Sequence, residues 1–175
     1  MKSAQIFDRP RAIGVIVTVI AATTFLLSHY AREHILAWRL GGVYLGAQGV
    51  RLQKGANDCG PASLQMIFDY YEIPSAVHEM RQAIGMNVNG STMLALKELA
   101  ELKGLQVQGW RLTSKDFSSV FFPALLFVRD DHYIVADSVS GENVFVRDPA
   151  IGRLRISRGK LIKIWKGEIL LFRKK

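Results

Sequence analysis

The chain has 175 residues, a net charge of +8 and 49% hydrophobic residues. That length suits one domain of ordinary size plus an appendage, and a single cysteine excludes an internal disulfide framework. The sequence holds no internal repeat, no low-complexity tract and no nucleic-acid motif beside its charge, so nucleic acid is not the partner the composition points to.

Residues 1–11 form a short basic tail carrying Lys2, Arg9 and Arg11. The segment 12–31, Ala12 to Ala31, has 20 residues without a formal charge. As a helix it spans ~30 Å, the thickness of a bilayer core. Three readings compete for it: a transmembrane anchor, a cleaved signal peptide and a buried helix. The anchor is favoured because no small-x-small cleavage site follows; Ala31 has His29 two residues before it. Tyr30 and Trp38 suit a membrane interface. Arg32, Arg39 and Arg51 follow the span, so charge fixes topology only weakly. The basic tail leans toward an N-terminus inside and the remaining chain outside the cytoplasm. Residues 32–49, with Gly41, Gly42, Gly46 and Gly49, read as a juxtamembrane linker.

The folded domain is expected over 50–175. Pro61 suits a first helical turn, and Leu64, Ile67, Phe68 and Tyr71 recur on one helical face behind it. Asp58 reads as the cap of that helix. Cys59 therefore lies at a helix N-terminus, where unpaired N–H groups and the dipole stabilise a thiolate. A lone thiol is either a buried small hydrophobe or a nucleophile. Two helices follow, Ala76–Ile84 and Met93–Lys103, the second capped by Ser91 or Thr92 and ended at Gly104. Gln106–Leu112 reads as a strand, Ser114–Val120 as a helical turn and Ala124–Val128 as a buried strand.

Of the four histidines, His29 and His34 lie in or beside the apolar segment and His78 sits among polar neighbours on a helix. His132 opens a β-branched and aromatic run, His132–Asp137. A turn over 138–142 leads to a second strand, Asn143–Asp148, stopped by Pro149. A turn centred near Ser140 sets His132 opposite Asp148, with Cβ atoms ~4.5–5.5 Å apart. A carboxylate there holds the imidazole in one tautomer. A slip of one residue would put the two on opposite faces. Nucleophile, base and orienter must meet in space, and Cys59, His132 and Asp148 supply one of each. Gln53 offers an amide donor for a developing oxyanion, beside the backbone N–H of Cys59. Short strands at Leu154–Ser157 and Ile169–Phe172 flank a basic helix, Arg158–Trp165. Helices first and a mostly antiparallel sheet after them give an α+β architecture. Basic residues crowd the last quarter, from Arg153 to Lys175, and read as a solvated face beside anionic lipid or as a device that steers an acidic peptide.

Together these residues resemble the double-glycine leader peptidases, papain-like cysteine peptidases that process bacteriocin precursors, often as the N-terminal domain of an ABC transporter. The resemblance rests on Gln53, Asp58-Cys59-Gly60-Pro61-Ala62-Ser63-Leu64 with Met66-Ile67 and Tyr70-Tyr71, then His132-Tyr133-Ile134-Val135 and Asp148-Pro149-Ala150-Ile151-Gly152. The Asn89-Gly90-Ser91-Thr92 turn also fits, and the match runs from about Val50 to the C-terminus. It implies a papain-like fold, with Cys59 as nucleophile, His132 as general base, Asp148 as orienter and Gln53 as oxyanion-hole donor. It further implies cleavage after a Gly-Gly pair in a leader peptide, without metal or cofactor. The sequence departs from the transporter pattern: it has no G-x-x-x-x-G-K-[ST] loop, and an apolar segment precedes the peptidase. A stand-alone peptidase held by one helix in a bacterial inner membrane is therefore expected, its domain on the extracytoplasmic side, with a secretion or export apparatus as a candidate partner. Leu40-Gly41-Gly42 is a candidate self-cleavage site, although Arg39 stands where such leaders carry an apolar residue. The rival readings are a tethered leader-binding module without turnover and a papain-like amidase or acyltransferase.

Overall fold

The computed structural model describes residues 9–86 and 90–175; Asn89 of the turn named above lies outside them. The chain begins with a long helix, α1 (Arg9–Arg39), and a short strand, β1 (Gly42–Tyr44). Three helices follow: α2 (Cys59–Tyr71), α3 (Val77–Ala83) and α4 (Met93–Leu102). Thr92 caps α4 by accepting the Ala95 N–H at 3.1 Å. Then come β2 (Leu105–Arg111), a 3-10 turn at Asp116–Ser119, β3 (Ala124–Val128), β4 (His132–Ser140), β5 (Asn143–Asp148), β6 (Gly152–Ser157), α5 (Arg158–Ile164) and β7 (Trp165–Lys174). The seven strands form one antiparallel sheet in the order β1-β6-β5-β4-β3-β7-β2. This is the α+β, papain-like arrangement the sequence implied.

Strand alternation divides the core in two. Tyr133 and Val135 meet Leu64, Met66, Ile67 and Phe68 of α2 and Leu96 of α4. Ile134 and Ala136 lie on the opposite face with Val144, Val146, Leu154, Leu161 and Trp165. The side chains of Leu64, Ile67, Phe68, Leu96 and Leu154 are wholly buried, and each contributes ~1.5–3 kcal/mol relative to exposure. The first cluster fixes α2 against the sheet and so fixes Cys59.

Residues 32–49, expected as a linker, are structured. Helix α1 runs through to Arg39, Ala37 is 1% exposed, and Leu36 and Leu40 pack on the second cluster. Strand β1 pairs with β6, Gly42 with Ile156. Thus Gly41-Gly42 is held at the sheet edge, where a side chain at Gly41 would strike Lys160. Gly152 makes the junction possible: its φ is +135°, and a Cβ there would collide with the Tyr44 ring and the Gly46 carbonyl. A three-residue strand between glycines carries almost no periodic signal, so it escapes a reading by pattern.

Candidate active site

Cys59 is the first residue of α2 and is 6% exposed. Its sulfur lies 4.0 Å from the Asp131 carbonyl oxygen, at the turn that leads into β4. Ser63, one turn along α2, donates to the Tyr133 carbonyl at 3.0 Å, which pins the helix start to β4. Gly60 lies where a Cβ would overlap the Ser91 hydroxyl and press on the Tyr133 ring. The close approach of helix and strand therefore needs that glycine.

His132 and Asp148 are buried, 6% and 2% exposed. His132 Nε2 and Asp148 Oδ1 are 2.9 Å apart. The same Oδ1 accepts the Ala150 N–H at 2.8 Å, so the Asp-Pro turn holds the carboxylate in place. With Nε2 engaged by the carboxylate, Nδ1 is the nitrogen left for Cys59.

The register differs from the expected one. The turn is Gly141-Glu142, and the ladder beside it pairs Ser138 with Phe145 and Val139 with Val144. Beyond it Ala136 pairs with Val146 and Val135 with Arg147, so β4 carries one extra residue, Asp137, as a bulge. Continued to the strand end, this register sets Asp148 across from Ile134, so it meets His132 diagonally. The two still share a face because His132 and Ile134 are two residues apart.

Electrostatics follow from this packing. Burial pushes the Cys59 thiol up, but its hydrogen bond to His132 and the backbone of Tyr133 and Gly60 outweigh that, and the thiol falls below its usual range. Burial opposes a charge on His132 as well; the bonds to Asp148 and Cys59 win, and the imidazole is pushed up to about 9. A lowered thiol and a raised imidazole favour a thiolate–imidazolium pair. Burial, and then the charge on Cys59, raise the neighbouring Tyr133 phenol, so it stays a neutral donor, bonded to the Ser91 carbonyl at 3.0 Å.

Gln53 lies beside this group. Its backbone N–H donates to the Pro149 carbonyl at 2.8 Å, which ties it to the Asp-Pro turn. Its side-chain amide faces its own loop: Nε2 donates to the Gly55 carbonyl at 3.1 Å and the Ala56 carbonyl at 3.4 Å. Asp58 does not cap α2, because its side chain makes no cap bond there. Its Oδ2 accepts the Gly55 N–H at 2.8 Å and its Oδ1 pairs with Arg81 of α3. Asp58 thus braces the Gln53–Cys59 loop, a role that needs a partner 23 residues away and is invisible to local capping rules. A cleft of about 890 Å³ opens beside the loop, between Gln53, Gly55 and Ala56, the Pro149–Ile151 turn, and Phe25, Leu26 and Tyr30 of α1. His78 is exposed, as its neighbours suggested. Among the described residues no cluster of three His, Cys, Asp or Glu side chains suits a metal ion.

A thiol at a helix N-terminus, an imidazole and a carboxylate on an α+β scaffold define the class of thiol peptidases built like papain. Residues 48–175 match the Peptidase C39 family, and the chain belongs to it. It is a cysteine peptidase of the family that cleaves double-glycine leaders. An uncharacterised protein of Methanothermobacter marburgensis is 30% identical over 128 residues, which cover 73% of this chain and 90% of that protein. The lactococcin-G-processing and transport ATP-binding protein LagD of Lactococcus lactis is 26% identical over 128 residues, 70% of this chain and only 18% of LagD. The crystal structure of a double glycine motif protease from an AMS/PCAT transporter, in complex with the leader peptide, superposes with a TM-score of 0.70 at 27% identity, covering 72% of this chain and 91% of that one.

Proposed function

We propose that this protein is a membrane-anchored endopeptidase that cleaves a leader peptide after a Gly-Gly pair through a thioester on Cys59. The observation that carries this reading is the His132–Asp148 bond at 2.9 Å with Cys59 at the start of α2. The Cys59 thiolate attacks the carbonyl of the second glycine, and a C–S bond forms. The oxyanion is met by the Cys59 N–H and by the Gln53 amide, which turns one N–H away from its loop carbonyls. The C–N bond then breaks, and the leaving amine takes the proton from His132. A water attacks the thioester while His132 accepts its proton, the leader leaves as a carboxylic acid, and the thiolate returns.

Two features support the substrate class. Cys59 is 6% exposed, so only a slim backbone reaches its sulfur, and two glycines present no side chain to the narrow approach. The similar AMS/PCAT protease was crystallised with a leader peptide. The thiolate–imidazolium electrostatics favour turnover over a module that only binds leaders.

Helix α1 is assigned to the bilayer. Its stretch Ile13–Arg39 is the one candidate span among the described residues, with a mean hydropathy of 1.8 over an 18-residue window. Ile13, Val15, Ile16, Val17 and Phe25 all stand more than half exposed and, at about 3.6 residues per turn, spread right round the axis. Such a surface is apolar all round and needs lipid or protein about it. The basic tail supports an orientation with the N-terminus in the cytoplasm and the peptidase domain outside it.

The test is incubation of the detergent-solubilised full chain, wild type and Cys59→Ala, with leader peptides containing Gly-Gly, read by mass spectrometry. Cleavage after the second glycine by wild type alone is the expected result. Binding without cleavage by either protein would replace this reading with a tethered recognition module.

A further inference from the structure

The ladder beside the β4–β5 turn pairs residues whose numbers sum to 283. Extended without interruption, that register sets Asp148 across from Val135, on the face opposite His132. The extra residue Asp137 changes the sum to 282 and turns Asp148 onto the face of His132. One bulge thus decides whether base and orienter can meet.

The bulge is held by an ion pair. Arg147, the residue before Asp148, grips Asp137: Nε lies 2.9 Å from Oδ1 and 3.0 Å from Oδ2, and Nη2 lies 2.7 Å from Oδ1. The side chains are 12% and 26% exposed, so solvent screens the pair only in part. The remaining nitrogen, Nη1, donates to the Met66 carbonyl of α2 at 3.4 Å and to the Gly49 carbonyl at 3.3 Å. One guanidinium therefore touches the bulge, the helix that carries Cys59 and the segment that leads to Gln53. Asp69 of α2 also lies in its field while pairing with Arg51.

We propose that Asp137 and Arg147 are positioning residues of the peptidase: the pair fixes the bulge that puts Asp148 and His132 on one face, and Arg147 registers that hairpin against the Cys59 helix. The proposal rests on the assignment of Cys59, His132 and Asp148 to catalysis. Neither residue is assigned a contact with the reacting atoms. Lysine cannot replace Arg147, because a single ammonium cannot fork onto the carboxylate and reach two carbonyls at once.

The experiment uses the full chain in detergent micelles: wild type, Arg147→Lys and Asp137→Asn. The rate of Cys59 alkylation by iodoacetamide is followed between about pH 4 and 10, with kcat and KM on a Gly-Gly leader peptide and a thermal unfolding curve. Cys59 is the only cysteine, so the alkylation signal is unambiguous. In both variants the inflection is expected to move up toward an ordinary thiol, ~8.5. The kcat is expected to fall about 10²-fold, with KM little changed. A lower melting temperature with a wild-type inflection and kcat would show a merely structural pair and overturn the proposal. Should Arg147→Lys fail to fold, Asp137→Asn, which keeps its volume, decides alone. An ordinary inflection in the wild-type chain would instead overturn the catalytic reading, and the proposal with it.

Discussion

Cys59, His132 and Asp148 form a chain of interactions: the carboxylate bonds the ring, and the ring lowers the thiol. Asp148→Asn keeps the shape and removes the charge that holds the His132 proton on Nε2. Turnover is expected to drop by on the order of 10²–10⁴, measured as kcat on a cleaved leader peptide with the fold checked by circular dichroism. The kcat/KM is expected to rise through the lowered thiol pKa and to fall above about pH 9, where His132 loses the proton that the leaving amine needs. The same ring contributes to stability. Its folded value of about 9 lies above the ordinary value of 6.5, so the contribution is full below 6.5 and is lost as the pH rises through 9. Urea midpoints of wild type and His132→Gln should therefore converge at alkaline pH. Cys59, His132 and Asp148 could be singled out from sequence because each sits at a strong local signal: Pro61 behind a helix start, a β-branched run, and a strand stopped by Pro149. The brace from Asp58 to Arg81 could not, because it joins residues 23 apart through tertiary packing.

At the scale of elements, hairpin β4–β5 and helix α2 decide the site. The strands were legible in their alternation and the helix in its apolar face. The bulge was not, since Asp137 reads equally well as a strand end or a turn residue. The expected pair survived because the error in register was an even number, and even shifts keep a side chain on its face. Gly60 joins the two elements. Gly60→Ala forces the Ser91 hydroxyl to rotate and presses on Tyr133, an overpacking change of ~1–3 kcal/mol. A lower urea midpoint together with slower Cys59 alkylation is expected. The loop before α2 depends on Asp58 as well. Asp58→Asn leaves Arg81 without its charged partner and weakens the bond to the Gly55 N–H. The Gln53 loop is then expected to loosen, lowering kcat more than it raises KM in steady-state kinetics.

The whole molecule joins a long apolar helix to the sheet without a slack tether. Leu36 of α1, Leu40 just after it and Tyr44 of β1 pack on the second core cluster, and Ala37 is buried within it. A fragment beginning at Arg32 is therefore expected to be more stable than one beginning at Val50, by on the order of 2–4 kcal/mol from the apolar surface involved. Chemical denaturation of the two fragments measures it. The same packing brings Phe25, Leu26 and Tyr30 to one side of the cleft beside Gln53, so the peptidase domain sits close against the apolar helix. The apolar helix was plain in 20 uncharged residues; its continuation into the domain was hidden by the glycines that follow.

The proposed reaction is peptide hydrolysis through a thioester on Cys59. Its most direct test is rapid acid quenching of the full chain with a Gly-Gly leader peptide, followed by intact-mass analysis of the protein. A transient adduct equal in mass to the leader fragment less one water, located on Cys59 and missing in Cys59→Ala, is the expected result. Cleavage that continues in Cys59→Ala, with no adduct on the wild-type chain, would contradict it.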